Sequence, residues 1–111
     1  MAVLVPLNTF KSLTETVGTS DTLVYTAGIG ISTVVLLAQF VNTEGTTGNV
    51  SANLYVAGSN TELIKNFEIP GYDAGSFLTG RLVIEEGNRL YIRADNSNFK
   101  FVFSYLETAN A

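Results

Sequence analysis

Charged residues make up only 14% of this 111-residue chain, and 6 Lys and Arg against 10 Asp and Glu give a net charge of −4. The chain has no His, Cys or Trp; this excludes thiol and histidine catalysis, Cys/His metal sites and disulfides, and we expect no cofactor and no enzymatic activity. The acidic balance argues against a nucleic-acid partner. The apolar run at residues 34–38 is far shorter than the about 20 residues that a membrane helix needs, so we expect no membrane span.

The first eight residues are predicted to form an N-terminal arm. Val3, Leu4, Val5 and Leu7 are apolar, and the segment lacks the basic start and cleavage site of a secretory signal. An apolar arm left in water would be a liability, so we expect it to pack on this subunit or on a neighbour. A frayed tail is the alternative.

Strand and turn signals alternate along the rest of the chain. Val, Ile, Thr and aromatic residues favour β structure, and no segment shows the apolar period of a long helix. Turn residues separate eight predicted strands, at residues 9–17, 22–26, 31–41, 49–57, 61–69, 77–85, 89–94 and 99–107.

Two of these strands carry strong packing signals. Strand 31–41 is nearly continuous in apolar residues, which predicts a central strand buried on both faces. In the last strand Phe99, Phe101, Phe103 and Tyr105 share one face, which predicts core packing for that face.

The strand spacing predicts an all-β fold with about eight antiparallel strands. We expect one β-sandwich over residues 9–107, for which a jelly roll is one candidate strand order, with the arm at 1–8 and a polar C-terminal tail at 108–111. No composition shift or repeat divides the domain.

Candidate carboxylates and oxygen ligands are few. Glu85 and Glu86 are adjacent on a strand end and must point to opposite faces, and Glu44 stands alone in a loop, so a carboxylate hydrolase is disfavoured. Residues 95–98 read Asp-Asn-Ser-Asn, which suits either a β-turn or a cation loop; without a downstream bidentate Glu the turn is favoured.

Surfaces are therefore the expected carriers of function. Arg89, Tyr91 and Arg93 share an outward face and predict either a partner interface or a charge-protected sheet edge. A small sandwich with so few charges is also expected to expose apolar patches, which are typical of homo-oligomers and larger assemblies.

Several segments resemble the small virion structural proteins of tailed bacteriophages. The resemblance rests on residues 22–28 with the apolar strand to 42, on 63–70, on 82–88 and on the aromatic strand ending at 104–107. It implies a β-sandwich that builds the particle: most directly a capsid decoration (cement) protein, made in the host cytoplasm and located in the virion. Such a protein would form a homotrimer on the major capsid protein or another virion protein and would bridge shell subunits.

Two alternatives remain open at this stage. The same resemblance covers tail, neck and fibre-attachment proteins. Independently, a jelly roll could be a carbohydrate-binding module, for which Tyr55, Tyr72 and Tyr91 are the candidate glycan contacts.

Overall fold

A computed structural model gives the structure of the chain and describes residues 8–78 and 80–109. The arm residues proposed as partner contacts, Val3, Leu4, Val5 and Leu7, lie outside the described residues. The described residues form nine β-strands: β1 (Thr9–Thr16), β2 (Thr22–Thr26), β3 (Ile31–Asn42), β4 (Gly48–Val56), β5 (Ser59–Ile69), β6 (Ala74–Ser76), β7 (Leu82–Ile84), β8 (Arg89–Ala94) and β9 (Phe99–Ala109).

The strands form two antiparallel sheets packed as a sandwich. Sheet A has the order β1-β9-β3-β6, with β7 also paired to β3, and sheet B has the order β2-β8-β4-β5. β6 and β7 pair with different parts of β3, and together they occupy the place of one strand in an eight-stranded sandwich. Apart from the β6–β7 connection and the β4–β5 hairpin, every connection crosses from one sheet to the other. This arrangement and the strand order of the two sheets are those of a jelly roll. The all-β sandwich expected from the sequence is therefore confirmed.

The predicted strand at residues 77–85 is confirmed only at β7, and its first part is wrong. Residues 77, 78, 80 and 81 do not belong to a strand. Phe77 packs against Phe40 and Phe101, with ring centroids 6.1 and 6.4 Å away. The Leu78 N–H donates to the Ser76 hydroxyl at 3.1 Å, and such local bonds compete with a β-ladder.

The expectation that β3 is buried on both faces is also wrong. Its inward residues, including Val35 and Phe40, are buried, but Leu36 and Leu37 are 50% and 36% exposed. Leu36 lies at a register shift against β9, so two successive leucines leave the core. The apolar run reflects an outer sheet face that no other described element covers, rather than a second buried face.

The last strand is longer than predicted. β9 continues to Ala109 because Ile31, at the start of β3, pairs with it. Thr108 and Ala109, which we assigned to the C-terminal tail, therefore belong to the sheet.

Aromatic side chains on the inner face of β9 fill the core, as the sequence predicts. Phe99, Phe101 and Phe103 are fully buried and Tyr105 is 8% exposed. The Phe101 ring lies 4.9 Å from that of Phe40 and 5.8 Å from that of Phe103, within the range of favourable aromatic pairs.

Truncation of this aromatic row tests the packing. We expect Phe101→Ala to lower the free energy of unfolding by about 3–5 kcal/mol, because it leaves a cavity in the centre of the core. Ile29→Ala is the control, since Ile29 is 94% exposed and its loss should change stability by less than about 1 kcal/mol. Urea denaturation measures both, and a loss below about 1 kcal/mol for Phe101→Ala would contradict the inward orientation of the last strand.

Candidate interaction surfaces

The carboxylates noted in the sequence do not converge on a catalytic cleft. Glu86 Oε1 accepts the Gly30 N–H at 2.5 Å before β3, whereas Glu44 follows the end of β3. The 12 residues of β3 lie between them, a separation of about 40 Å. Glu44, Glu85 and Glu86 are all exposed, so they do not line a shared cleft in which they could act as an acid/base pair.

The loop after β8 forms a turn, as favoured from the sequence. Asp95 Oδ1 accepts the Asn49 N–H at 3.0 Å and the Asn96 amide at 3.1 Å, and Asn96 Oδ1 accepts the Asn98 N–H at 2.9 Å. Within residues 8–78 and 80–109, no three His, Cys, Asp or Glu side chains are grouped so as to hold a metal ion. The same described ranges contain no helix long and apolar enough to cross a membrane.

Four polar side chains join the two sheets near the start of β1. Tyr25 of sheet B donates its hydroxyl proton to Glu107 Oε2 at 2.5 Å and lies 2.6 Å from the Thr33 hydroxyl. Because a tyrosine hydroxyl has one proton, Thr33 donates in the second bond. Lys11 Nζ lies 2.7 Å from Glu107 Oε1. The sequence did not indicate this cluster, because its members are scattered from β1 to β9.

The cluster shifts the acid–base equilibria of its members. Hydrogen bonds from Lys11 and then from Tyr25 lower the pKa of Glu107, and the bond to Glu107 raises the pKa of Lys11. Burial, followed by the bond to Glu107, raises the pKa of Tyr25, and burial raises that of Tyr105. At neutral pH Glu107 is thus held ionised and both tyrosines are held neutral. The cluster therefore acts as a clamp between the sheets and is poorly suited to proton transfer.

Acidification should release this clamp. Since folding lowers the pKa of Glu107, its contribution to stability is complete above the pKa of the unfolded carboxyl and is lost as pH falls through the lower folded pKa. We expect Glu107→Gln to reduce the unfolding free energy at pH 7 and to flatten its dependence on pH below about 4.5. Tyr25→Phe should give an intermediate dependence. Urea denaturation between pH 2.5 and 7 measures this, and a wild-type pH profile in Glu107→Gln would contradict the assignment.

The predicted Arg–Tyr patch lies on the outer face of sheet B. Arg89, Tyr91 and Arg93 alternate with the buried residues of β8 and therefore share that face. The Arg93 guanidinium lies 3.0 Å from Asp21 Oδ1, and that of Arg89 lies 5.8 Å from the Tyr55 ring centroid. The alternative of a charge-protected edge is wrong, because β8 lies between β2 and β4. A role for the patch in partner binding stays a prediction.

The three tyrosines proposed for glycan binding do not form one flat platform. The Tyr55 and Tyr91 rings meet edge to face, with centroids 6.5 Å apart and planes at 81°. Tyr72 is 77% exposed but belongs to the turn after β5. A sugar ring stacks on a broad aromatic face, but the Arg89 guanidinium already lies over the ring of Tyr55. The three tyrosines therefore do not offer a shared stacking surface for a sugar.

The outer face of sheet A carries a second surface, which we call the apolar row. It consists of Phe10, Leu106, Val34 and Val83, one residue from each of β1, β9, β3 and β7, paired across the strands in that order. Phe10 and Val83 are 72% and 50% exposed, and the two central residues are partly buried. Leu36 shares with Phe10 a hollow of about 270 Å³ beside the row.

The sequence contained part of the signal for this row. Leu106 and Val102 occupy outward positions of β9, where polar residues are usual for a solvated face. Because β3 was expected to be buried on both faces, Val34 was not expected to belong to an outer surface. Pairing of β3 with β7 could not be read from periodicity.

Comparison with known proteins adds information on the fold. No protein-family model matches the chain, and no curated protein matches it. Among solved structures, a chain described under "Bacillus endospore appendages form a novel family of disulfide-linked pili" superposes with a TM-score of 0.58 at 11% sequence identity, covering 96% of this chain and 89% of that chain. At that identity the likeness establishes a shared fold, over nearly the full length of both chains.

Proposed function

We propose that this chain is a non-enzymatic virion structural protein, most specifically a capsid decoration protein that stabilises a phage head by bridging shell subunits. The observation that carries the proposal is the apolar row, which crosses four strands of sheet A without a covering element among the described residues. Contiguous exposed apolar surface of this kind marks partner contacts in small proteins. Its burial in an assembly would add contact area without any chemistry.

The side-chain inventory supports a structural role over catalysis. The chain lacks His and Cys, and Glu44 and Glu86 lie at opposite ends of β3. The perturbed Tyr25 and Glu107 are bonded to each other across the sheets. These two side chains, whose pKa values are shifted, thus hold the two sheets together.

Charge supports a position on the outside of a particle. A net charge of −4 would repel packaged DNA, whereas an outward-facing decoration protein meets no such repulsion. The proposed partners are other copies of this chain, as a homotrimer, and the major capsid protein or another virion protein. The proposed location is the virion, after synthesis in the host cytoplasm.

A pilus-like subunit is the second candidate, and the structural neighbour favours it. The neighbour's title describes appendages built as disulfide-linked pili. This chain has no cysteine, so a filament of it would be held by non-covalent contacts and would survive reducing agents.

Immunogold electron microscopy with antibodies to the purified chain separates these candidates in a lysate of the source. Gold over phage heads is the expected result and supports decoration, whereas gold over tails supports a tail or neck protein. Gold over filaments supports the pilus-like subunit. Soluble antigen with no labelled particle would contradict a structural role.

The outer face of sheet B provides a test of partner binding. We expect the double variant R89A/Y91A to fold normally, because both side chains lie on the outer face of β8, and to be retained less on sedimented particles. Lys65→Ala is the matched control, since Lys65 is exposed and its Glu62 partner is 3.9 Å away. Equal retention of R89A/Y91A and wild type would remove this face from the interface.

A further inference from the structure

The apolar row lies beside the point where the N-terminal arm joins the fold. Residues 1–7 read Met-Ala-Val-Leu-Val-Pro-Leu, all of them apolar, and Asn8 connects them to β1. Phe10, two residues further on, begins the row and is 72% exposed. The chain thus places an apolar segment and an apolar sheet face close together in sequence.

The dimensions of the two elements match. The row crosses four neighbouring strands, or three spacings of about 4.8 Å, and is therefore about 14 Å wide. Seven extended residues reach about 23 Å. One arm is long enough to cross the whole row from Phe10 to Val83.

The surroundings of the row suit an uncharged occupant. Next to the row, the outward positions of β1 and β9 are held by Ser12 and Ser104, which pair with each other. Lys100, the outward cation of β9, pairs with Thr16 at the far end of β1. Lys11 lines the hollow beside the row, but its Nζ is already paired with Glu107 Oε1 at 2.7 Å. An apolar segment without charged side chains therefore suits the row better than a charged peptide.

Geometry favours the arm of another copy over a subunit's own arm. To lie on its own sheet, the arm must turn out of the line of β1 and rise about 10 Å above the sheet, because Thr9 is already paired with Glu107. That rise uses about three residues and leaves about 13 Å of chain. The remainder falls short of the row, which is about 14 Å wide. An arm from a neighbouring copy avoids this turn over its own sheet, so more of its residues can lie along the row.

We propose that the N-terminal arm of one copy of this chain lies across the apolar row of a second copy and links the two subunits. This inference rests on the proposed assembly function and names its self-contact. Transfer of the arm between subunits would bury Phe10 and Val83 and the arm's own leucines and valines together. It would also make each subunit both a donor and an acceptor of an arm.

Cysteine crosslinking tests the contact in a chain that has no native cysteine. A tagged Leu4→Cys chain is co-expressed with an untagged Leu36→Cys chain and treated with a short bismaleimide. Leu23→Cys replaces Leu36→Cys as the matched control, because Leu23 is 47% and Leu36 50% exposed, and both lie at register shifts, on opposite sheets. Val83→Cys is a second acceptor should Leu36→Cys unfold.

We expect about tenfold more tagged–untagged heterodimer with Leu36→Cys than with Leu23→Cys, because docking raises the local thiol concentration. Crosslinking confined within a chain carrying both Leu4→Cys and Leu36→Cys would overturn the exchange of arms. A stable oligomer that gives equal heterodimer with both acceptors would overturn this contact and leave the structural role intact. A chain that stays monomeric in this experiment and labels no particle would overturn both.

Discussion

Side chains on a β-strand alternate between two faces, and β9 uses one whole face for aromatic packing. Phe99, Phe101 and Phe103 are fully buried between the sheets. Once these positions face inward, Leu106 must face outward, and the pairing register fixes Phe10 opposite it. The exposed apolar row is therefore a consequence of how the core is filled, and a one-residue slip would destroy both.

Much of this arrangement could be predicted from local signals, and the exceptions have physical reasons. Turn residues and alternation located most strands and the aromatic face of β9. Periodicity could not show that Phe77 would turn inward and interrupt a strand, nor that the outer side of β3 lacks a covering layer. The Tyr25–Glu107 bond joins residues 82 positions apart, so only the folded chain reveals it. The shared face of Arg89 and Arg93 was predictable, but the central position of β8 was not.

The two outer faces of the sandwich differ in chemistry. Sheet B presents arginine and tyrosine side chains that already contact Asp21 and Tyr55, which gives a polar surface of fixed geometry. Sheet A presents an apolar row with few charges near it. Sheet B also exposes Leu23, which is 47% exposed and pairs with Tyr91, so its outer face is mixed rather than purely polar. In the assembly that we propose, sheet B contacts a shell and sheet A contacts other copies of the chain.

The mass of the 111-residue chain in solution tests the central claim that this protein works by self-association. Size-exclusion chromatography with light scattering should give a defined multiple of the 11.9 kDa subunit mass, stable on dilution. Phe10→Ser should lower that mass by removing an exposed part of the apolar row. A well-folded monomer of 11.9 kDa at every concentration would contradict the claim.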